Sequence, residues 1–476
     1  MTTLDLHPDR LFPVDPGLRA LARSLYATVA TLPIVSPHGH TDPQWYADDT
    51  PFPNASALFI TPDHYVFRML YSQGVPLEAL GIPRRSDAGA AGGGAIETDA
   101  RKIWRTFAAH WPLFRGTPTR VWLDHAFHEN FGIRERLEPA NADAIFDRIN
   151  AALATPAFRP RALFDRFGIE VIATTESPLD PLAHHAKIRA SGWGGRVVTA
   201  YRPDPVADPE FEGFRANVEQ FGALAGENAA TWSGYLAAHR NRRAFFASMG
   251  ATSTDHGHPT AQTADLTPAE CQRLLDRALA GTISPAEAEL FRGQVLTEMA
   301  KMSLDDGLVM QIHPGSFRNH NGAVFRDFGR DKGADIPTRT DYVRALKPLL
   351  DRVGTERGLS IVLFTLDEST YARELAPLAG HYTVLKLGPP WWFHDSFEGM
   401  LRFFSMAIET AGFANTVGFN DDTRAFLSIP ARHDVWRRVA CRFLSTLVGE
   451  HRLEEDEAFD LAPKLAYHFA KAAYRL

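Results

Sequence analysis

Cysteine is scarce: the 476 residues hold two, Cys271 and Cys441. They stand far apart, with neither the paired spacing of a zinc ribbon nor the density of a disulfide scaffold, so a reducing compartment is expected. Long apolar runs are missing as well. No stretch of about 18 apolar residues occurs, which excludes a bilayer-spanning helix. Met1 to Pro16 carries Asp5, His7, Asp9 and Arg10 before any apolar run, whereas a secretory signal needs a cationic start and then a hydrophobic stretch, so a cytoplasmic protein is expected. A basic excess is also absent. Fifty Lys plus Arg against 57 Asp plus Glu give a net charge of −7, which leaves nothing to neutralise a phosphate backbone and argues against nucleic acid as a partner.

What is present suits a large globular core, with 45% hydrophobic and 22% charged residues. Eight short runs rich in Val, Ile, Leu and Thr, each ending in polar or glycine residues, read as buried parallel strands. They are Leu32 to Pro37, Ile169 to Thr175, Arg196 to Tyr201, Phe245 to Thr252, Leu308 to Ile312, Leu359 to Thr365, Thr383 to Leu387 and Thr416 to Phe419. Helical periodicity fills several intervals, as in Tyr342 to Val353, Asp395 to Ala411 and Asp434 to Val448. The expectation is an α/β protein, a (β/α)8 TIM-like barrel forming a single domain over 1–476. A doubly wound open sheet is the rival, but no Gly-rich phosphate turn follows the first strand.

One interval, 41–168, far exceeds the about 30 residues of an ordinary barrel unit and reads as a mostly helical insertion after the first strand. Its candidate helices are Ala55 to Ser72, Thr98 to Ala109, Arg120 to Asn130 and Ala142 to Leu153. A mobile loop is expected at Asp87 to Ala95, where Gly89, Gly92, Gly93 and Gly94 leave little side chain to pack.

Reactive groups of a parallel barrel collect at the C-terminal strand ends. The first strand ends Ser36-Pro37-His38-Gly39-His40. On extended backbone, residues i and i+2 face one side, so both imidazoles would face one cavity and make half of a metal site. A plain polar loop is the other reading of this pair. A His-x-His ending the first strand resembles the amidohydrolase superfamily, whose members place an acidic ligand at the eighth strand end, and Asp422 fits that place here. Asp422 and Arg424 are again i and i+2, with Asp421 turned away; a helix N-cap with a surface ion pair is the alternative.

The fifth strand ends at His313, and Pro314-Gly315 turns the chain so that Arg318 can return over the opening. Arg202 follows the third strand, and Asp255 and His256 follow the fourth. Three arginines around one mouth suit an anion, because guanidinium pairs bidentately with carboxylate or phosphate, although each could singly be a surface ion pair.

Taken together, six blocks make the chain similar to the uronate isomerase family. They are His38-Gly39-His40; Asp63-His64-Tyr65 through Arg68; Arg202-Pro203-Asp204; His313 with Arg318; Trp391-Trp392-Phe393; and Asp422-Thr423-Arg424 with Phe426-Leu427-Ser428 and Arg432-His433. The resemblance implies interconversion of D-glucuronate with D-fructuronate and of D-galacturonate with D-tagaturonate through a cis-enediol. It implies a weakly bound divalent metal, zinc in many members, on His38, His40 and Asp422, with no organic cofactor. Asp422 and Tyr65 would move protons, with His64 and His313 as further catalytic positions. Arg202, Asp255, Arg318, Trp391 and Arg424 would bind the hexuronate, and a homo-oligomer is expected.

Two departures from the family pattern, Thr174-Thr175-Glu176-Ser177-Pro178 and Asp421, bear on the preferred sugar epimer. The last segment, Leu461 to Leu476, receives no functional role. The rival activity is a mononuclear metal-dependent amidohydrolase or deaminase, since the same donors can generate a metal hydroxide. A two-metal hydrolase needs a bridging carboxylate or lysine, and the run Phe245 to Thr252 offers neither.

Overall fold

Runs of β-branched residues bounded by polar turns form the predicted sheet, and the computed structural model describes it within residues 3–86 and 95–476. In chain order the strands are β1 (Ile34–Ser36), β2 (Ile169–Glu176), β3 (Arg196–Tyr201), β4 (Ser253–His256), β5 (Val309–Ile312), β6 (Ser316–Phe317), β7 (Ile336–Pro337), β8 (Ile361–Leu363) and β9 (Leu385–Leu387). Seven of them make one curled parallel sheet in the order β1-β2-β3-β4-β5-β8-β9, while β6 and β7 pair antiparallel above it. The longest ladder runs from Val171 opposite Arg196 to Glu176 opposite Tyr201.

Parallel neighbours need crossovers, and helices supply them. The helix Pro285–Asp306 begins with a Ser284/Glu287 capping box and ends at Gly307, whose φ of +78° closes the last turn. Its Leu296, Met299 and Ala300 are fully buried against the sheet core, which also holds Ile312, Ile361 and Leu387.

Two predicted strands are corrected. Phe245 to Thr252 is not the fourth strand, because Phe245 to Ser248 complete the helix Trp232–Ser248. The Thr231 hydroxyl caps that helix, and fully buried Phe246 packs its ring edge on Tyr201, 5.1 Å between centroids. A short apolar run fits a helix end as well as a strand, and the helix cap decides it. The strand starts later, at Ser253, so Asp255 and His256 lie within β4.

Nor does Thr416 to Phe419 form an eighth strand. Thr416 makes a single parallel bridge to Leu387, and then Gly418 turns to φ +72°. A Cβ on Gly418 would lie 3.0 Å from the backbone nitrogen of Ala470 and 3.2 Å from the carbonyl oxygen of Leu465. The C-terminal segment therefore presses on the backbone where a ladder would continue. Beyond this point the chain crosses to the other sheet edge, where His40 N–H donates to Thr423 O at 3.1 Å.

That same segment fills the inside of the curl. Ala470 packs among Val35, Val171, Ala173 and Val198, and Tyr474 among Val309, Val362 and Val417. The Tyr474 hydroxyl donates to Gln311 Oε1 at 2.9 Å, so the sixteen residues given no role in the sequence reading floor the interior.

Between β1 and β2 run Pro43–Asp48, Ala55–Phe59, His64–Tyr71, Ala100–Ala109, Pro118–His125, Ala142–Leu153 and Pro160–Arg166, all helical. They share a core in which Trp104, Phe107, Phe114 and Phe127 join Ile34 and Ile169 of the sheet. The single helix predicted for Ala55 to Ser72 is two, broken around Pro62, which cannot continue a hydrogen-bond ladder. The loop expected at Asp87 to Ala95 lies outside the described residues except for Ala95. Among the described residues no helix is long and apolar enough to cross a membrane.

Gly418 generates a test. Gly418→Ala places a side chain at φ +72° against backbone. It is expected to destabilise the protein by about 1–3 kcal/mol in urea unfolding, the usual cost of a strained non-glycine residue. An unchanged midpoint would mean that the C-terminal segment does not press on this position.

Candidate active site

Side-chain alternation along the strands carries residues from the floor to the mouth. In β5, Val309 and Gln311 point inward, and His313, two residues on, lines a cavity at the C-terminal end of the sheet. The cavity measures about 320 Å³ and is lined by His40, His64, Tyr65, Arg202, His313, Arg318, Trp391, Asp422 and Arg424. That size falls within the roughly 300–1,000 Å³ of small-molecule sites. Asp63, Asp204, His258, Asp331, Asp335 and Trp392 complete much of the wall.

His38 and His40 follow β1, and their rings meet edge to face, 5.3 Å between centroids. Asp422 reaches them from the far sheet edge, with Oδ1 3.5 Å from His38 Nε2 and 3.3 Å from His40 Nε2. Among the described residues these three form the one group whose donor atoms lie close enough together to hold a metal ion. Tetrahedral ligands at about 2.0–2.1 Å from a zinc-like ion sit about 3.3–3.4 Å apart, so the spacing suits a small divalent cation. Asp422 Oδ1 is buried and accepts no hydrogen bond from the protein. Burial pushes the Asp422 carboxyl up, with partial relief from His38 and His313, and it drives His40 well below its usual value. Two imidazoles beside an under-compensated carboxylate are the donor set a cation needs.

Asp255 does not line the cavity. It is fully buried, with its carboxylate 2.6 Å from His313 Nε2 and 3.2 Å from Arg202 Nη1. Burial opposes its charge, but His313, His38 and Arg202 outweigh burial and hold the carboxyl well below the usual range. Its place within β4 overturns the expectation that the fourth strand carries no carboxylate.

All three arginines reach the cavity, and each already holds an acid. Arg202 donates from Nε to Asp204 at 2.8 Å, Arg318 pairs with Asp335 at 3.2 Å, and Arg424 pairs with Asp331 at 3.4 Å. Gly257 lets Arg202 approach, since a Cβ there would stand 2.4 Å from its Nη2 and 2.8 Å from His313 Cε1. Burial opposes the charge of Asp331, but Arg424, Arg318 and Arg202 outweigh it and lower its carboxyl. One anion position thus lies within the field of three guanidinium groups.

The aromatic wall comes from two elements. Asp63 Oδ1 caps the helix His64–Tyr71 by accepting from Tyr65 N–H, which sets His64 and Tyr65 at the mouth. Burial, then Arg424, lowers His64 to about 3, so it is neutral. Trp391 packs edge-on to His313, 5.0 Å between centroids. Trp392, Asn319, Asp331 and Asp422 line the cavity with positive φ, and Phe393 adjoins them at φ +70°. Strained backbone is concentrated at this mouth.

The sequence reading missed Asp395, His258, Asp331 and Asp335. Asp395 stands two residues beyond the quoted Trp-Trp-Phe block, and His258 two beyond His256, which on extended backbone would have marked it. Asp331 and Asp335 carry no spacing signal. Of the departures noted in sequence, Ser177 lines the cavity, whereas Asp421 accepts from His433 Nε2 at 3.0 Å and Glu176 accepts from the Thr199 hydroxyl.

A family model described as glucuronate isomerase matches residues 18–474. A uronate isomerase of Xanthomonas axonopodis pv. citri is 66% identical over 475 residues, covering 100% of this chain and 99% of that protein. The crystal structure of glucuronate isomerase from Caulobacter crescentus superposes with a TM-score of 0.97 at 61% identity, covering 100% of this chain and 98% of that one. A uronate isomerase structure from Thermotoga maritima gives 0.91 at 25% identity, with 99% of each chain covered.

Glu176 yields a pH prediction. Burial pushes it from 4.5 up to about 7. The folded protein then binds this proton more tightly than the unfolded chain does, so the associated stability is complete below pH 4.5 and is lost as pH rises through about 7. The full difference is roughly 3 kcal/mol. Glu176→Gln is expected to flatten the fall in unfolding free energy across that window; an unchanged slope would contradict it.

Proposed function

This chain belongs to the glucuronate isomerase family, and from that premise we propose that its cavity binds an open-chain hexuronate and moves a proton between C2 and C1. The enzyme interconverts an aldose uronate and its ketose. Its finer reading is D-glucuronate to D-fructuronate and D-galacturonate to D-tagaturonate. The observation that carries it is one cavity lined by three arginines and by His40 and Asp422, with His38 completing their donor cluster. A hydrolase or deaminase has no need of that arginine set, which suits a substrate bearing its own carboxylate.

His38, His40 and Asp422 would hold a divalent ion, with zinc as the finer assignment. When bound, it supplies Lewis-acid stabilisation of charge developing on the substrate oxygens. The chain's own groups do the rest. Arg202, Arg318 and Arg424 bind the C6 carboxylate, which fixes the C1–C2 end at the opposite side of the cavity. Asp422 takes the C2 proton and returns it to C1. Tyr65 takes the proton from O2 and supplies one to O1, so the aldehyde becomes an alcohol and the C2 alcohol a ketone with no net proton change. His313 is held by Asp255 with an imidazole facing the substrate oxygens, and Trp391 shields them from water. Asp255 acts by holding His313 and Arg202, since it is buried beneath them.

We also read 1–476 as one barrel-type domain, with 41–168 as a helical lobe that contributes His64 and Tyr65 to the mouth. Homo-oligomerisation and a cytoplasmic site of action belong to the same proposal.

Purified protein incubated with D-glucuronate or D-galacturonate is expected to form ketose, and Asp422→Asn to lower kcat by at least about 10²-fold, the usual size of a general-base contribution. No ketose from either sugar would defeat the isomerase reading, and near-wild-type kcat in Asp422→Asn would reject Asp422 as the base.

A further inference from the structure

We propose that Asp395, itself anchored by Arg432, is a positioning residue that fixes the rotor of the Tyr65 hydroxyl so that the phenol offers a lone pair, not its proton, to the bound sugar. The inference rests on the assignment of Tyr65 to the O2/O1 proton transfer. It concerns which way that hydroxyl points and what sets it.

The phenol has one proton to donate and two lone pairs to fill. Tyr65 Oη lies 3.2 Å from Asp395 Oδ1, a carboxylate that can only accept, so the phenol proton is committed there. The backbone N–H of Phe393 donates to the same oxygen at 3.1 Å and occupies one lone pair. One direction remains, and Tyr65 lines the cavity. The Phe393 amide is delivered by backbone at φ +21° for Trp392 and +70° for Phe393, so strain is spent on holding this donor in place.

Asp395 is 4% exposed and does not line the cavity, so it cannot touch the sugar. Its second oxygen accepts from Arg432 Nη1. Arg432 is 2% exposed and is held by Ser428 Oγ at 3.0 Å from its Nε and by the face of Trp122 at 3.5 Å. Trp122 in turn packs perpendicular to the Tyr65 ring, 5.5 Å between centroids. Ring, hydroxyl and acceptor are thus set by one closed group of contacts. Both ground states of the reaction present a hydroxyl that must lose its proton, O2–H in the aldose and O1–H in the ketose. An acceptor lone pair matches each. As the phenol takes that proton it passes its own to the Asp395 carboxylate, and it recovers that proton from Asp395 as it supplies one to the other oxygen, so phenol and carboxylate both end as they began.

Asp395→Asn tests this with little change of shape. Arg432 demands an acceptor, so the amide oxygen faces it and the NH2 faces Tyr65, which turns the phenol proton into the cavity. Tyr65→Phe is expected to lower kcat by about 10²–10⁴-fold, and Asp395→Asn by at least about 10-fold, with KM changed less than about 3-fold. Asp395→Glu, which keeps the charge, should recover part of that loss. The deciding result is the double variant: Asp395→Asn in the Tyr65→Phe background is expected to cost nothing further, because there is no hydroxyl left to orient. Wild-type kcat in Asp395→Asn, or losses that multiply in the double variant, would overturn the proposal. Should Asp395→Asn not fold, Asp395→Ser, which also removes the carboxylate, carries the same cycle with the same two outcomes. Absence of turnover by the wild-type protein would instead count against the isomerase reading itself.

Discussion

The buried meeting of Asp422 with His38 and His40 is the constraint that the rest of the architecture serves. A carboxylate oxygen at 3.3–3.5 Å from two imidazole nitrogens, with no protein hydrogen bond of its own, is costly without a cation. The cost is met by two sheet edges brought together. His38 and His40 follow the first strand and Asp422 follows the last bridge, so the cluster exists only because the sheet curls far enough for its ends to face each other. Asp422 itself sits at φ +37°, a conformation the surrounding contacts impose.

What holds that curl is not a closed ladder. Seven strands are paired, and the gap is spanned by 416–423, tied to Leu387 on one side and His40 on the other. The C-terminal segment takes up the interior volume that side chains of a complete barrel would fill, and it presses on Gly418 just before the turn that carries Asp422. Floor and mouth are therefore coupled through one stretch of backbone. At the mouth each of the three partly exposed arginines is paired with an acid.

Much of this was legible in the sequence because it depends on period-two patterns and on residue types with narrow chemistry. His38 with His40 and Asp422 with Arg424 are i, i+2 pairs at strand ends, and Arg318 follows a Pro-Gly turn; all of them line or adjoin the cavity. Where the reading failed, short-range signals were degenerate. Phe245 to Thr252 has strand composition yet ends a helix, and the shift moved Asp255 from a loop into the sheet beneath the cavity. The eighth run satisfied every local criterion and was undone by a contact with residues about fifty positions later, which no window of sequence contains. Asp395 and Arg432 are visible only as neighbours of other blocks, since a residue that acts by holding another side chain leaves no spacing of its own.

The account stands on a cation bridging the two sheet edges, and crystals grown with zinc and a hexuronate test it most directly. Anomalous scattering should place one ion per chain within about 2.0–2.3 Å of His38 Nε2, His40 Nε2 and Asp422 Oδ1, with the sugar carboxylate against the arginines. An ion bound elsewhere, or a sugar seated with its carboxylate away from Arg202, Arg318 and Arg424, would contradict it.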